Sequence, residues 1–340
     1  MLFHHGSLVI PTSNGADLEG IRWVEHSPLH TLWAGREAVF VFFVLSGVAL
    51  TLSVLGGRSQ WRAYYPTRLL RLYLPVLGAV LVGFLVTAAV PRQFEPGQSA
   101  WMRTHQFDAT PWTFLRDAVL VTGTSTLNTP LWSLRWEVFF SLLLPAYVWV
   151  ALRMRRHWAA LAALVVVVVT AGSVLGEPAL LYLPMFMVGV VIAVHVPDRI
   201  EAMGSRLRGA VGWWFFVAAV LGISSSYWAA AVLHHHVETI TFPVVLAAAA
   251  LLVVLALAWD PARRVLSSPV FQWTGRISFS LYLTHELVVV SVGQLLPSEI
   301  LGLTPVLSSP MALLLAVAFH RAVESPSHRL SQRVGRRIRT

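Results

Sequence analysis

Histidine, glutamate, serine and arginine recur in this sequence at positions whose neighbours are apolar. His4 and His5 follow Phe3, and Ser46 closes the run Val41-Phe-Phe-Val-Leu-Ser-Gly47. Glu137 ends Leu131-Trp-Ser-Leu-Arg-Trp-Glu137, while His285 and Glu286 are adjacent at the end of Ile277-Ser-Phe-Ser-Leu-Tyr-Leu-Thr-His-Glu286. Imidazole can take a proton near neutral pH, a carboxylate can orient it, and hydroxyls or ring N–H groups can hold an oxyanion. Together these residue types suit the activation of a weak nucleophile such as an alcohol. Arg68 and Arg71 stand three apart at the start of a helix, so they share one face. Guanidinium groups are permanently charged, planar donors matched to phosphate oxygens. Each residue also has a plainer reading. An arginine pair can anchor topology or touch lipid headgroups, an intramembrane His or Glu can join two helices, and Ser46-Gly47 can be a small-residue contact. His234-His235-His236 with Glu238 has metal-ligand types, but its place at the end of a span reads as a solvated turn.

The elements that must position these groups are membrane spans. Of 340 residues 56% are hydrophobic and 12% charged, half the charge of an ordinary soluble domain. That composition excludes a cytosolic enzyme, a disordered regulator and a nucleic-acid-binding module. Cysteine is absent, which removes disulfides, thiolate metal sites and cysteine nucleophiles. A spanning helix needs about 20 mostly apolar residues. Nine segments qualify: Ala38 to Gly57, Leu72 to Pro91, Leu131 to Leu152, His157 to Gly176, Pro178 to Pro197, Gly209 to Val237, Thr239 to Trp259, Ile277 to Leu296 and Ile300 to His320. With Arg58, Arg62, Arg68 and Arg71 placed inside, alternation puts nineteen arginines inside and five outside, with Arg135 in a span. This asymmetry is that of the positive-inside rule. It accounts for the net charge of +9 as a cytoplasmic border, and it puts the C-terminus in the cytoplasm of a plasma-membrane protein.

Residues 1–10 read as the outer half of a first helix whose beginning is missing, and they lack the features of a signal peptide. The fold expected is therefore all-α integral membrane: a polytopic bundle of about ten transmembrane helices, the first truncated. The chain reads as one domain over residues 1–340, with 329–340 a basic cytoplasmic tail.

The motifs resemble the membrane-bound acyltransferase 3 family along the whole chain. Phe3-His4 is similar to the end of its first-helix motif, and Phe42-Phe-Val-Leu-Ser-Gly47 to its Phe-Phe-x-x-Ser-Gly motif. Arg68-Leu-Leu-Arg71 resembles its Arg-x-x-Arg helix start, and Leu131 to Glu137 its Trp-x-Leu-x-x-Glu segment. Gly275 to His285 and Glu324-Ser-Pro326 resemble its late helix and the Glu-x-Pro after its last span. The basic residue of that family ten positions before His4 would lie upstream of Met1. The resemblance implies transfer of an acyl group, commonly acetyl, from cytoplasmic acyl-CoA to a hydroxyl of a carbohydrate or cell-surface glycan, without a metal.

In that reaction His4 is the expected base, with His5 its alternate, and Glu137 orients the imidazole. Ser46 and His285 are candidate oxyanion donors, and Arg68 and Arg71 bind the CoA phosphates. The segments Pro11 to Arg36 and Arg92 to Pro130 would select the acceptor. Two other readings use the same residues. One is a transporter or flippase with an intramembrane His/Glu proton relay, although no internal repeat of the carrier kind is present. The other is a non-catalytic derivative of the fold.

Overall fold

The computed structural model describes residues 1–10, 27–56, 60–93, 98–106, 110–196, 199–233 and 237–339. The His234 to His236 tract, Arg58 and most of the Pro11 to Arg36 segment lie outside them. Every regular element among the described residues is helical. In chain order the α-helices are α1 (Leu2–Leu8), α2 (Arg36–Leu55), α3 (Trp61–Ala89), α4 (Ala100–Thr104), α5 (Pro111–Val119), α6 (Leu131–Arg153), α7 (Trp158–Leu175) and α8 (Pro178–His195). They continue with α9 (Ile200–Arg206), α10 (Ala210–Ile223), α11 (Ser225–Leu233), α12 (Glu238–Ala258), α13 (Asp260–Leu266), α14 (Pro269–Leu295), α15 (Thr304–Phe319) and α16 (Ser325–Arg339). A π-helical turn, His320–Glu324, joins the last two.

Long apolar runs fold as helices here because lipid offers no partner for backbone polar groups, so each segment must satisfy its own. Pro75, Pro145, Pro184 and Pro243 sit inside such helices, as they do in bundles where neighbours and local adjustment absorb the lost bond. Among the described residues seven helices are long and apolar enough to cross a membrane, or eight if the bent pair α9–α10 counts as one. Two of the nine full spans expected are not among the seven, and α1, at seven residues, is too short to be one. The segment 209–237 breaks at Ser224 into α10 and α11. Helix α14 has 27 residues, but it carries Gln272, Arg276, His285, Glu286 and Gln294 and is too polar to be among the seven.

The described residues group into two compact units. One comprises 1–17, 60–138 and 273–340, hence α1, α3 to α5, the first turns of α6, most of α14, and α15 and α16. Its core joins Leu72, Val76 and Val80 of α3 to Leu131 and Leu134 of α6, Leu283 of α14 and Phe319 of α15. Leu120 and Leu127, in the connection after α5, belong to the same core and pin that connection down. Helix α1 lies on α15, with Gly6 against Pro305, and Val9 packs on Met102, Val289 and Val290.

The other unit comprises 18–59 and 139–272. Here α2 packs along α8, and α7 and α12 pack beside them. The α2–α8 contact is a backbone approach: a Cβ built at Gly47 would overlap the Phe186 carbonyl oxygen, and one at Gly189 the Val44 carbonyl oxygen. Small residues at such a crossing let dispersion and close packing hold helices that lipid does not push together. Phe186 stacks on Phe140 at 4.2 Å between ring centroids and touches Phe43 at 4.5 Å.

Candidate active site

The first unit buries a cluster of ionisable side chains around Glu286. Adjacent residues on a helix point about 100° apart, and His285 and Glu286 both face inward, at 1% and 0% exposure. Glu286 accepts from four groups. The Thr129 N–H donates to Oε1 at 2.6 Å and the Thr129 hydroxyl to Oε2 at 2.5 Å. His105 Nε2 lies 3.3 Å from Oε1, and His5 Nδ1 3.1 Å from Oε2. This acceptor-only pattern is that of an ionised carboxylate with its lone pairs filled.

The partners also decide the tautomers of the rings. His285 Nδ1 faces the carbonyls of Leu281 at 2.9 Å and Tyr282 at 3.0 Å, so it carries hydrogen. The Nε2 atom of a neutral His285 is then an acceptor, and it meets His5 Nδ1 at 3.2 Å. His5 Nδ1 therefore donates, shared between Glu286 and His285, and the lone pair of His5 sits on Nε2. A carboxylate on one nitrogen and a free lone pair on the other is the arrangement of a general base. The His5 ring also stacks on His285 at 5.0 Å and lies 5.5 Å from Trp101. His105 Nδ1 lies 2.8 Å from the Trp101 carbonyl and its Nε2 3.3 Å from Glu286 Oε1, so both ring nitrogens face acceptors. With those nitrogens and oxygens engaged, no His/Asp/Glu group among the described residues has a metal-holding arrangement.

The connection from α3 to α6 delivers half of this cluster. Arg92 is buried and clamps it by donating to the carbonyls of Thr126 at 2.9 Å and Leu127 at 2.8 Å, and to that of His105 at 3.4 Å. Burial lowers the Arg92 guanidinium to about 10, and the charge of Glu286 works against that shift. Asp117 accepts from the Ser125 N–H at 2.5 Å and from its hydroxyl. Burial raises the Asp117 carboxyl, and those two bonds hold it down. Asn128 donates to the Leu283 carbonyl at 2.7 Å, and the Tyr282 hydroxyl reaches Pro130 O and Ser133 Oγ. Every one of these bonds fixes the backbone that presents Thr129.

A second constellation touches the same helix α14, six residues or about 9 Å of rise before Glu286. Ser280 donates to Glu324 Oε2 at 2.5 Å, and His320 Nδ1 lies 3.1 Å from the same oxygen across the π-helical turn. Arg68 of α3 forms an ion pair with the buried Glu137 of α6. Arg71 lies within electrostatic reach of Arg68 and Glu324 and is exposed.

These positions differ from the spacing-based expectations in three ways. Glu286 is the carboxylate set against His5, whereas Glu137 is engaged with Arg68, because both project from the facing sides of α6 and α3. Arg68 is correspondingly committed to a carboxylate, and Arg71 is the more open of the two. His5, like His105, is joined to Glu286; His4 lies beside His5 at 5.6 Å and is partly exposed. His285 is within the cluster, and Ser46 belongs to the other unit, next to the Gly47 crossing. His105, Thr129 and Arg92 are additional members. Nothing in linear spacing ties residue 105 to residue 286; the only signal was the need of a buried Glu286 for donors.

No curated protein and no solved structure matches the chain. The acyltransferase domain characteristic of the acyltransferase 3 family matches residues 1–321. A multi-pass helical chain of this composition, matched over almost its whole length, belongs to the membrane-bound acyltransferase 3 family.

Proposed function

We propose that the protein is an acyl-CoA-dependent O-acyltransferase that moves an acyl group, commonly acetyl in this family, to a hydroxyl of a carbohydrate or cell-surface glycan. The observation that carries this reading is His5 buttressed by Glu286, with its Nε2 lone pair available. In the step, His5 Nε2 takes the proton of the acceptor hydroxyl as its oxygen attacks the thioester carbonyl. The C–O bond forms, the C–S bond breaks, and the proton passes to the departing thiolate. Glu286 stabilises the transient imidazolium, and His105 and Thr129 keep that carboxylate in place. His4 remains a candidate for oxyanion stabilisation or acceptor contact, while His285 holds the His5 ring through its Nε2. The base assignment moves from His4 to its neighbour because His5 Nδ1 meets the buried Glu286 carboxylate at 3.1 Å.

The arginine asymmetry supports a plasma-membrane protein whose C-terminus and Arg68–Arg71 end are cytoplasmic, where CoA is found. The basic start of α3 fits a phosphate-bearing donor. A proton relay for transport would use the same His–Glu–His chain, so the assay must read chemistry. Membranes containing the protein and radiolabelled acetyl-CoA should place label in glycan or glycolipid. His5→Ala should lower transfer at least about 100-fold, the usual scale of a lost general base, and His4→Ala should cost less than about tenfold. Folded protein that moves a glycan without acylating it would overturn the enzyme reading.

A further inference from the structure

Helix α16 begins four residues beyond the stretch matched by the acyltransferase domain, and it is built unlike the spans. Ser327, Ser331 and Gly335 recur every four residues, are buried, and form one stripe. That stripe packs on α3: a Cβ at Gly335 would lie 2.6 Å from Thr67 Cγ2, and His328 is within electrostatic reach of Arg71. Advancing along α16 therefore means retreating along α3, so the two run antiparallel. Small residues bring the helix close, and its opposite face stays open. Arg329, Arg333 and Arg336 lie on that open face at i, i+4 and i+7 and are exposed.

Neither α16 nor α3 contains an aspartate or glutamate, while they hold five and three arginines respectively. Of the nearby carboxylates, Glu137 pairs with Arg68, while Glu324 bonds Ser280 and His320 and lies within electrostatic reach of Arg71. Like charges one turn apart on a helix repel weakly, and an anion lying along the stripe relieves that repulsion. Three exposed arginines about one turn apart, continued by Arg71, match an extended ligand bearing several phosphates rather than one isolated anion.

We infer that the exposed arginine face of α16, continued by Arg71 of α3, recognises the phosphate esters of the acyl donor. This rests on the acyl-CoA reading above. Phosphate esters also occur on anionic lipids, so the test has two arms. With the full chain in zwitterionic phosphatidylcholine nanodiscs, coenzyme A binding is measured by calorimetry for the native protein, for Arg329→Gln/Arg333→Gln/Arg336→Gln, and for the same triple change to Lys. The Gln variant should bind coenzyme A at least about tenfold more weakly and with a shallower salt dependence. The Lys variant, which keeps the charge, should retain most of the affinity and shows that the helix tolerates substitution. In the second arm, retention of phosphatidylglycerol from mixed nanodiscs is read by native mass spectrometry. Unchanged coenzyme A affinity in the Gln variant overturns the inference. If only phosphatidylglycerol retention falls, the lipid supplies the phosphate and the donor assignment is overturned. Transfer by the native protein is scored separately, so loss of this inference leaves the acyltransferase reading standing.

Discussion

The unit holding α3 and α14 buries charged and polar side chains against one another, whereas the unit holding α2 and α8 brings backbones together. In the first, Glu286, His5, His285, His105 and Thr129 interlock, and Arg68 meets Glu137. In the second, Gly47 and Gly189 let two helices touch, and aromatic rings fill the remaining space. It also buries Glu37, which accepts from the Tyr227 hydroxyl at 3.1 Å and lies 3.7 Å from Arg36, and His30, whose ring stacks on Tyr227 at 3.4 Å between centroids. The contrast separates two uses of low dielectric surroundings. Dispersion between close backbones holds a scaffold without any charge. Buried ionisable groups stabilise only when fully partnered, and they are retained where chemistry needs them.

Glu286→Gln tests that contrast most severely. The amide keeps the shape but turns an NH2 donor toward groups that already donate, so the histidine loses its anionic support. Transfer should fall about 1000-fold while the protein still elutes as a folded species in detergent; a fall of less than about tenfold would make the cluster structural.

The Arg68–Glu137 pair sharpens the comparison within the first unit. Removing one partner of a buried pair leaves an uncompensated charge and costs about 3 kcal/mol or more. Arg68→Gln or Glu137→Gln alone should each lower thermal stability strongly, and the double change should cost much less than their combined effects. Additive losses would mean that the two side chains do not act as a pair.

Gly47→Ala asks the corresponding question of the second unit, at the smallest scale. The added methyl meets backbone at Phe186 rather than a movable side chain, so α2 and α8 must separate at a cost of about 2 kcal/mol. The melting temperature should drop, while transfer per folded molecule at permissive temperature should stay near the native value. A selective loss of transfer would instead tie Ser46-Gly47 to the chemistry.

Much of the architecture was legible because hydropathy is a local property. The segments ending near Leu55, Leu175, His195 and Ala258 form helices where their apolar runs lie, since lipid leaves the backbone no alternative. The count of apolar helices among the described residues departs from the expected one where polarity and apolarity compete. Helix α14 is polar for the sake of its site, and residues 209–237 break at Ser224. The residue types of the site were equally visible: histidines at 4, 5 and 285, carboxylates at 137 and 286, arginines at 68 and 71. Their pairing was not. Which carboxylate meets which histidine depends on helix rotation and on the fold of residues 92–130, neither of which spacing encodes.

Sequence alone thus determined that the chain is a helical membrane protein, placed its polar groups inside it, and carried the family motifs. Only the tertiary structure decided that Glu286 serves His5, that Glu137 serves Arg68, and that His105 and Thr129 arrive from a connecting segment. The physical reason is that burial cost is set by composition within a segment. The relief of that cost is set by partners hundreds of residues away.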